Sequence, residues 1–223
     1  MNIPSQAPLH LLHRVSEGTL ATLTREPRGF PYPTALPFAP TERHVPMVLI
    51  SHLAEHTRNL QADARAGFLV SHAADGGVLE GQRLTMLGSF APAAPEDRGE
   101  LARRYLRYHP DAARYLELGD FSFWVMSLER MRYIGGFGAM GWLGGEELDS
   151  LPPLSADDES SLCKYFDAYS GRPENRGLLG IDRYGCDLLL ADIRNRFTFD
   201  YPKLTNEDLK AAVIDCFERQ RNI

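Results

Sequence analysis

Cysteine is scarce: Cys163, Cys186 and Cys216 are the three in a chain of 223 residues, and none belongs to a C-x-x-C pair. An odd, widely spaced set argues against a disulfide scaffold and suits a reducing compartment, with the three thiols expected as small buried side chains. Long apolar runs are missing too. The charge-free stretches Val45–Ile50 and Phe121–Leu128 fall far short of the ~18 residues that span a bilayer. Residues 1–6 show no basic segment leading into an apolar one, so no secretory leader and a cytoplasmic location are expected. Positive charge is not in excess, with 24 Lys and Arg against 30 Asp and Glu and a net charge of −6; a global nucleic-acid footprint is thereby excluded. G-x-S-x-G, the Walker A loop and G-x-G-x-x-G do not occur, and no histidine follows His109. Internal repeats and low-complexity tracts are absent as well.

What remains is an ordinary globular composition, 43% hydrophobic, 10% aromatic and 24% charged, able to bury a real core. Leu9, Leu12 and Val15 set a short helical period. Gly18–Thr24 alternates as a strand does. Phe30–Phe38 is extended, but Pro31, Pro33 and Pro37 deny it ladder donors, so it should be an edge or bulged strand. Strands are expected at Pro46–Ile50, Ala66–His72, Arg83–Ala91 and Phe121–Ile134, with helices at Leu53–Ala62, Pro95–Tyr108 and Asp111–Leu118. About six strands that do not alternate one for one with helices indicate a closed or nearly closed barrel. Gly135-Gly136-Phe137-Gly138 breaks the last strand. Gly144–Pro153, rich in glycine, acid and proline, reads as a linker. It divides the chain into a barrel domain, 1–149, and a small domain, 150–223. The second contains a helix from Ser155, strands near Leu178–Asp182, Asp187–Leu190 and Ile193–Phe199, and a final helix. Thr205 and Asp208 outline a capping box for that helix, and its stripe of Leu209, Ala212, Val213, Cys216 and Phe217 is expected to be core. The expected class is therefore mainly β with helices (α+β): a barrel followed by an α-β-β-β-α unit.

Two histidine patterns invite a metal reading. His52, Glu55 and His56 spell H-x-x-E-H, the inverted zinc-protease order, but His52 directly follows a strand end where helical geometry is doubtful, and no third ligand can be named. His10 and His13 lie at i, i+3 on the first helix with no evident partner. Both patterns read as surface or core histidines, and no metal is expected. The more informative stretch is Val48–Leu60. A strand delivers the Ser51 hydroxyl, and a short helix then presents Thr57 and Arg58. Two hydroxyls and a planar guanidinium suit a phosphate. Arg83 offers a second cation at the mouth of a later strand.

The order of these features, S-x-L-x-x-H-T-R-N-L after a strand, the earlier G-F-P-Y-P, the R-L-T-x-x-G strand and R-Y-I-G-G-F-G, resembles the pyridoxamine 5′-phosphate oxidase-like, FMN-binding split-barrel superfamily. More narrowly it resembles the haem-utilisation (haem-oxygenase-like) branch, over residues 8–140. G-I-D-R-Y-G-C-D-L and R-F-T-F resemble the small C-terminal domain often fused to that branch. The resemblance implies a six-stranded split barrel, a homodimer and an FMN in each of two sites at the subunit interface. Ser51, Thr57 and Arg58 would hold the phosphate, with Arg83 near the phosphate or ring edge and Thr34 lining the isoalloxazine. The iron-ligating histidine of haem-degrading members, expected beyond the barrel, has no counterpart here, nor do the residues that bind pyridoxamine phosphate. A flavin-dependent oxidoreductase is the expectation, with no catalytic side chain named. Haem binding or degradation is the alternative, and a non-enzymatic regulatory module is a third. Neither a nucleic acid nor a membrane partner is expected.

Overall fold

A computed structural model describes residues 3, 6–74, 76–136, 139–170, 176–190 and 193–219. They form two compact units, Met1–Ser150 and Leu151–Ile223.

In the first unit, helix α1 (Ala7–Arg14) precedes β1 (Glu17–Leu23), β2 (Pro31–Pro37), β3 (Ala39–Pro40), β4 (Pro46–Ser51), α2 (Glu55–Ala62), β5 (Arg65–Ala74) and β6 (Gly77–Pro92). Then come α3 (Arg98–Tyr108), α4 (Ala113–Leu116), β7 (Phe121–Ile134) and β8 (Met140–Gly144). The strands make one antiparallel sheet in the order β2-β1-β5-β6-β7-β4-β3, with β8 also on β7. The long strands expected from the sequence are all present, and the proline-rich β2 takes an end of the sheet, where missing donors cost no ladder bonds. Two short strands were not anticipated. β3 is two residues long, and β8 lies just before and into the stretch read as a linker. Phe137 and Gly138 of the glycine run lie outside the described residues; Gly136 before them has φ +100°, a conformation that suits glycine.

Alternation decides the core. Leu20, Phe68, Met86 and Met131 are register partners in turn across β1, β5, β6 and β7, and all four are fully buried. With Phe38, Val70, Leu84, Phe90 and Tyr133 they fill the inner face. A register shift between Leu87 and Gly88 bends β6, and a Cβ at Gly88 would collide with the Ser127 carbonyl, so glycine permits the close approach. Helix α3 is held by buried polar contacts: Arg104 Nε donates to the Pro40 carbonyl at 2.6 Å, and His109 Nε2 meets the Phe38 carbonyl at 2.7 Å. Among the described residues, no helix is long and apolar enough to cross a membrane.

The second unit consists of α5 (Ala156–Asp167), β9 (Arg176–Asp182), β10 (Gly185–Leu190), β11 (Ile193–Thr198) and α6 (Asn206–Arg219), with sheet order β11-β10-β9. Ser155 and Thr205 cap the two helices, accepting from the Asp158 and Asp208 amides at 3.1 Å each. Phe166 and Phe217 stack at 4.0 Å in a core with Leu162, Leu188 and Leu209. Cys186 lies in that core and shares a hydrogen bond with Cys216, which together with burial raises its pKa well above the ordinary thiol value.

Beside this core the Arg196 guanidinium, fully buried, bonds Asp182 at 2.8 Å and Asp187 at 3.2 Å. Removing one partner of such a group strands uncompensated buried charge. Arg196→Ala is therefore expected to destabilise the second unit by about 3–5 kcal/mol, read as a lower midpoint in urea unfolding of the full chain. A midpoint unchanged from the unaltered protein would contradict the assignment.

Candidate cofactor-binding site

At the corner between β4 and α2 the sequence-predicted residues do come together, but their hydroxyls are engaged within the protein. Ser51 Oγ donates to Asp120 Oδ2 at 2.5 Å and accepts the Leu53 amide at 3.0 Å. Thr57, with no exposed surface, donates to the Ser51 carbonyl at 2.6 Å. Asn59 Nδ2 donates to Thr22 Oγ1 at 3.1 Å and ties the helix to β1. In this arrangement the two hydroxyls build the corner, and the Asp120 carboxylate sits on it. Arg58 projects from the same turn, exposed and with no ion-pair partner among the described residues.

Thr34 and Arg83 lie elsewhere. Ser51 pairs with Phe121 and Arg83 with Ile134, the two ends of β7. One chain therefore does not bring Arg83 to the Arg58 corner. Thr34 stands opposite Leu20, and directly opposed antiparallel residues share a face, so it points to the inner side. Its hydroxyl oxygen is buried with no hydrogen-bond partner. The outward residues of that strand are Pro31, Pro33, Ala35 and Pro37.

The outer face is built differently from the inner one. Across the strands, Pro33, Ala21, Gly67, Leu87 and Arg130 form one row, and Ala35, Thr19, Leu69, Thr85 and Arg132 the next. A groove of about 500 Å³ opens here, floored by Ala21, Gly67 and Leu87 and flanked by Pro31, Arg65 and Glu129. Arg65 is clamped by Asp63 at 2.5 Å, which holds that carboxyl down at about 2. Among the described residues Arg83 has a 3.5 Å contact to the Leu79 carbonyl and no partner for its buried Nε. Arg83, Arg130 and Arg132 have no carboxylate partner among the described residues. The sequence reading missed Arg130 and Arg132; the alternation Arg130-Met131-Arg132-Tyr133 was the available signal, since it sets both cations on the face opposite two buried side chains.

The two histidine patterns are placed in different surroundings. α2 begins at Glu55, so His52 precedes it, its Nε2 at 3.0 Å from Ser122 Oγ, while burial lowers the pKa of His56. Among the described residues, His52, Glu55 and His56 do not converge as a ligand group. His13 finds a partner 31 residues away, Nε2 to His44 Nδ1 at 2.8 Å, and His44 Nε2 lies 3.3 Å from Asp149 Oδ2.

An antiparallel split barrel with a filled interior and a groove on its outer face defines the class. The chain matches the family described as CREG, beta-barrel, over residues 6–149, and it belongs to that family. It is 31% identical over 130 residues to the non-canonical heme oxygenase HOZ, chloroplastic, of Arabidopsis thaliana, a stretch that is 58% of this chain and 39% of the plant protein. The structure is similar to protein Atu2129, of unknown function, from Agrobacterium tumefaciens C58, with TM-score 0.79 at 22% identity over 95% of this chain and 94% of that one. It is also similar to a heme binding protein from Mycobacterium smegmatis, with TM-score 0.63 at 25% identity over 100% of both chains.

Because the Thr57 hydroxyl satisfies a backbone carbonyl at a buried corner, Thr57→Val is expected to cost about 1–3 kcal/mol, while Thr57→Ser retains most of the stability. Thermal unfolding of the two variants checks this; equal melting temperatures would contradict it.

Proposed function

We propose that the protein binds FMN against the outer face of its barrel, as a homodimer, and acts as a flavin-dependent oxidoreductase. The observation that carries this reading is an outer face with a small, apolar floor and arginines that lack acids, on a chain whose net charge is −6. A planar ring needs a slot free of protruding side chains, and Ala21 and Gly67 leave one. A dianionic phosphate needs fixed positive charge, for which Arg58 and Arg83 are the candidates. Since they lie toward opposite ends of β7 in one chain, a cofactor that meets both has to lie between two copies. FMN, when bound, supplies hydride and electron transfer. The protein's part is to hold the anionic group, lay the ring against the groove and keep water from one ring face.

Haem is the second reading, favoured by the names of the Arabidopsis and Mycobacterium relatives. With no histidine after His109, an imidazole ligand to iron would have to come from the first 109 residues of this chain or of a partner.

The test is FMN titration of the isolated protein, followed by absorbance. One FMN per chain is expected, with binding weakened roughly tenfold or more in Arg58→Ala and in Arg83→Ala, as loss of a charge-assisted contact implies. Affinities equal to that of the unaltered protein would remove both residues from the site.

A further inference from the structure

Strand β7 carries one residue more than β6 can pair. Its buried positions are even-numbered at Trp124 and Met126 and odd-numbered at Met131 and Tyr133. Pairing passes directly from Leu128 opposite Gly88 to Arg130 opposite Leu87. Glu129 is the residue left over, the unpaired member of a β-bulge, and such an insertion re-aims a side chain. Glycines on both sides admit the displaced backbone. A Cβ at Gly88 of β6 would collide with the Ser127 carbonyl, and one at Gly145, just past β8, would lie 2.5 Å from the Leu128 carbonyl.

The bulge sets Glu129 in the lining of the outer groove, where Arg65 is the other charged residue. Arg65 is already held by both oxygens of Asp63. Arg130, next in sequence to Glu129, turns instead to β8: its guanidinium carbon lies 4.1 Å from the Trp142 ring centroid, with that of Arg132 at 5.8 Å. Glu129 forms no ion pair among the described residues. An apolar groove thus has one carboxylate on its rim that no cation neutralises.

That carboxylate restricts what can cover the groove. A flat ring laid on the floor shields Glu129 from water on one side, which is costly for a charged group unless the ring edge beside it donates a hydrogen bond. An oxidised isoalloxazine has a single N–H donor, at N3. Its benzenoid edge ends in methyl groups, and its other ring heteroatoms donate nothing. Only with the imide edge toward the bulge is the carboxylate satisfied. We infer that Glu129 accepts the N3–H of the bound flavin, fixing which edge of the ring faces the bulge and selecting a ring with a free imide. The inference rests on the flavin reading and deepens it, and it uses none of the arginines assigned to the phosphate.

Titration of the full-length protein with FMN and with N3-methyl-FMN, followed by absorbance, tests it. The unaltered protein is expected to bind FMN at least about tenfold more tightly than the methylated form, as loss of a charge-assisted hydrogen bond implies. In Glu129→Leu the two flavins should bind alike. In Glu129→Gln, whose amide oxygen still accepts the N3–H, FMN should keep most of its advantage. The glutamine also removes a negative charge beside the ring, so the reduction potential of bound FMN should move to a more positive value, a change that a purely structural role would not produce. Thermal unfolding establishes that each variant is folded, and the near-isosteric glutamine keeps the test decisive if the leucine variant is not. Three results would overturn the inference and leave the flavin reading standing: equal binding of both flavins to the unaltered protein, a preference that persists in Glu129→Leu, or an unmoved potential in Glu129→Gln. Failure of FMN to bind at all would overturn both.

Discussion

The barrel is full. Leu20, Phe68, Met86 and Met131 meet across successive strands with no exposed surface, and Phe38, Phe90 and Tyr133 close the remaining space. Each such side chain contributes on the order of 1.5–3 kcal/mol by leaving water, so the inner face is fixed by folding. Strand alternation then assigns the opposite role to every second residue. The side that cannot be core is where small residues, a groove and unpaired arginines are found. One packing constraint thus separates what holds the molecule together from what it can offer to a partner.

The chemistry available on that outer side is binding chemistry. The groove is lined by Ala, Gly, Thr, Leu, Pro, one arginine already clamped by Asp63, and Glu129. Among the described residues that line the groove, none is a nucleophile paired with a base, and the buried histidine contact between His13 and His44 joins α1 to the turn before β4. An oxidoreductase role on this scaffold therefore rests on a cofactor that brings its own reactivity, with the protein supplying charge, shape and exclusion of water. The arginines matter because a cation without a carboxylate beside it is available to an anionic ligand.

Much of the fold was legible from the residues alone. The alternation in Gly18–Thr24, the prolines of Phe30–Phe38 and the long aromatic run from Phe121 each led to the strand that the structure contains. The misses have physical causes. Met140–Gly144 carries two glycines and no β-branched residue, so its strand character comes from pairing with β7 rather than from propensity. Ala39–Pro40 is too short to show any period. The site was less legible than the fold because it depends on register. That Thr34 shares a face with Leu20, that Arg83 falls at the end of β7 away from Ser51, and that Trp142 lies between Arg130 and Arg132 are all consequences of which residues oppose one another across strands. The Ser51–Thr57–Arg58 corner was visible as a local segment. The engagement of its hydroxyls by Asp120 and by a backbone carbonyl was not, since the first of these partners lies 69 residues away.

The central claim is that a flat, anionic cofactor lies on the outer barrel face between two copies of this chain. Sedimentation equilibrium of the protein with FMN, recorded at a wavelength where only the flavin absorbs, tests it most directly. The account predicts flavin absorbance travelling with a particle of twice the chain mass, at one flavin per chain. Flavin left unsedimented, or carried by a single chain, would contradict it.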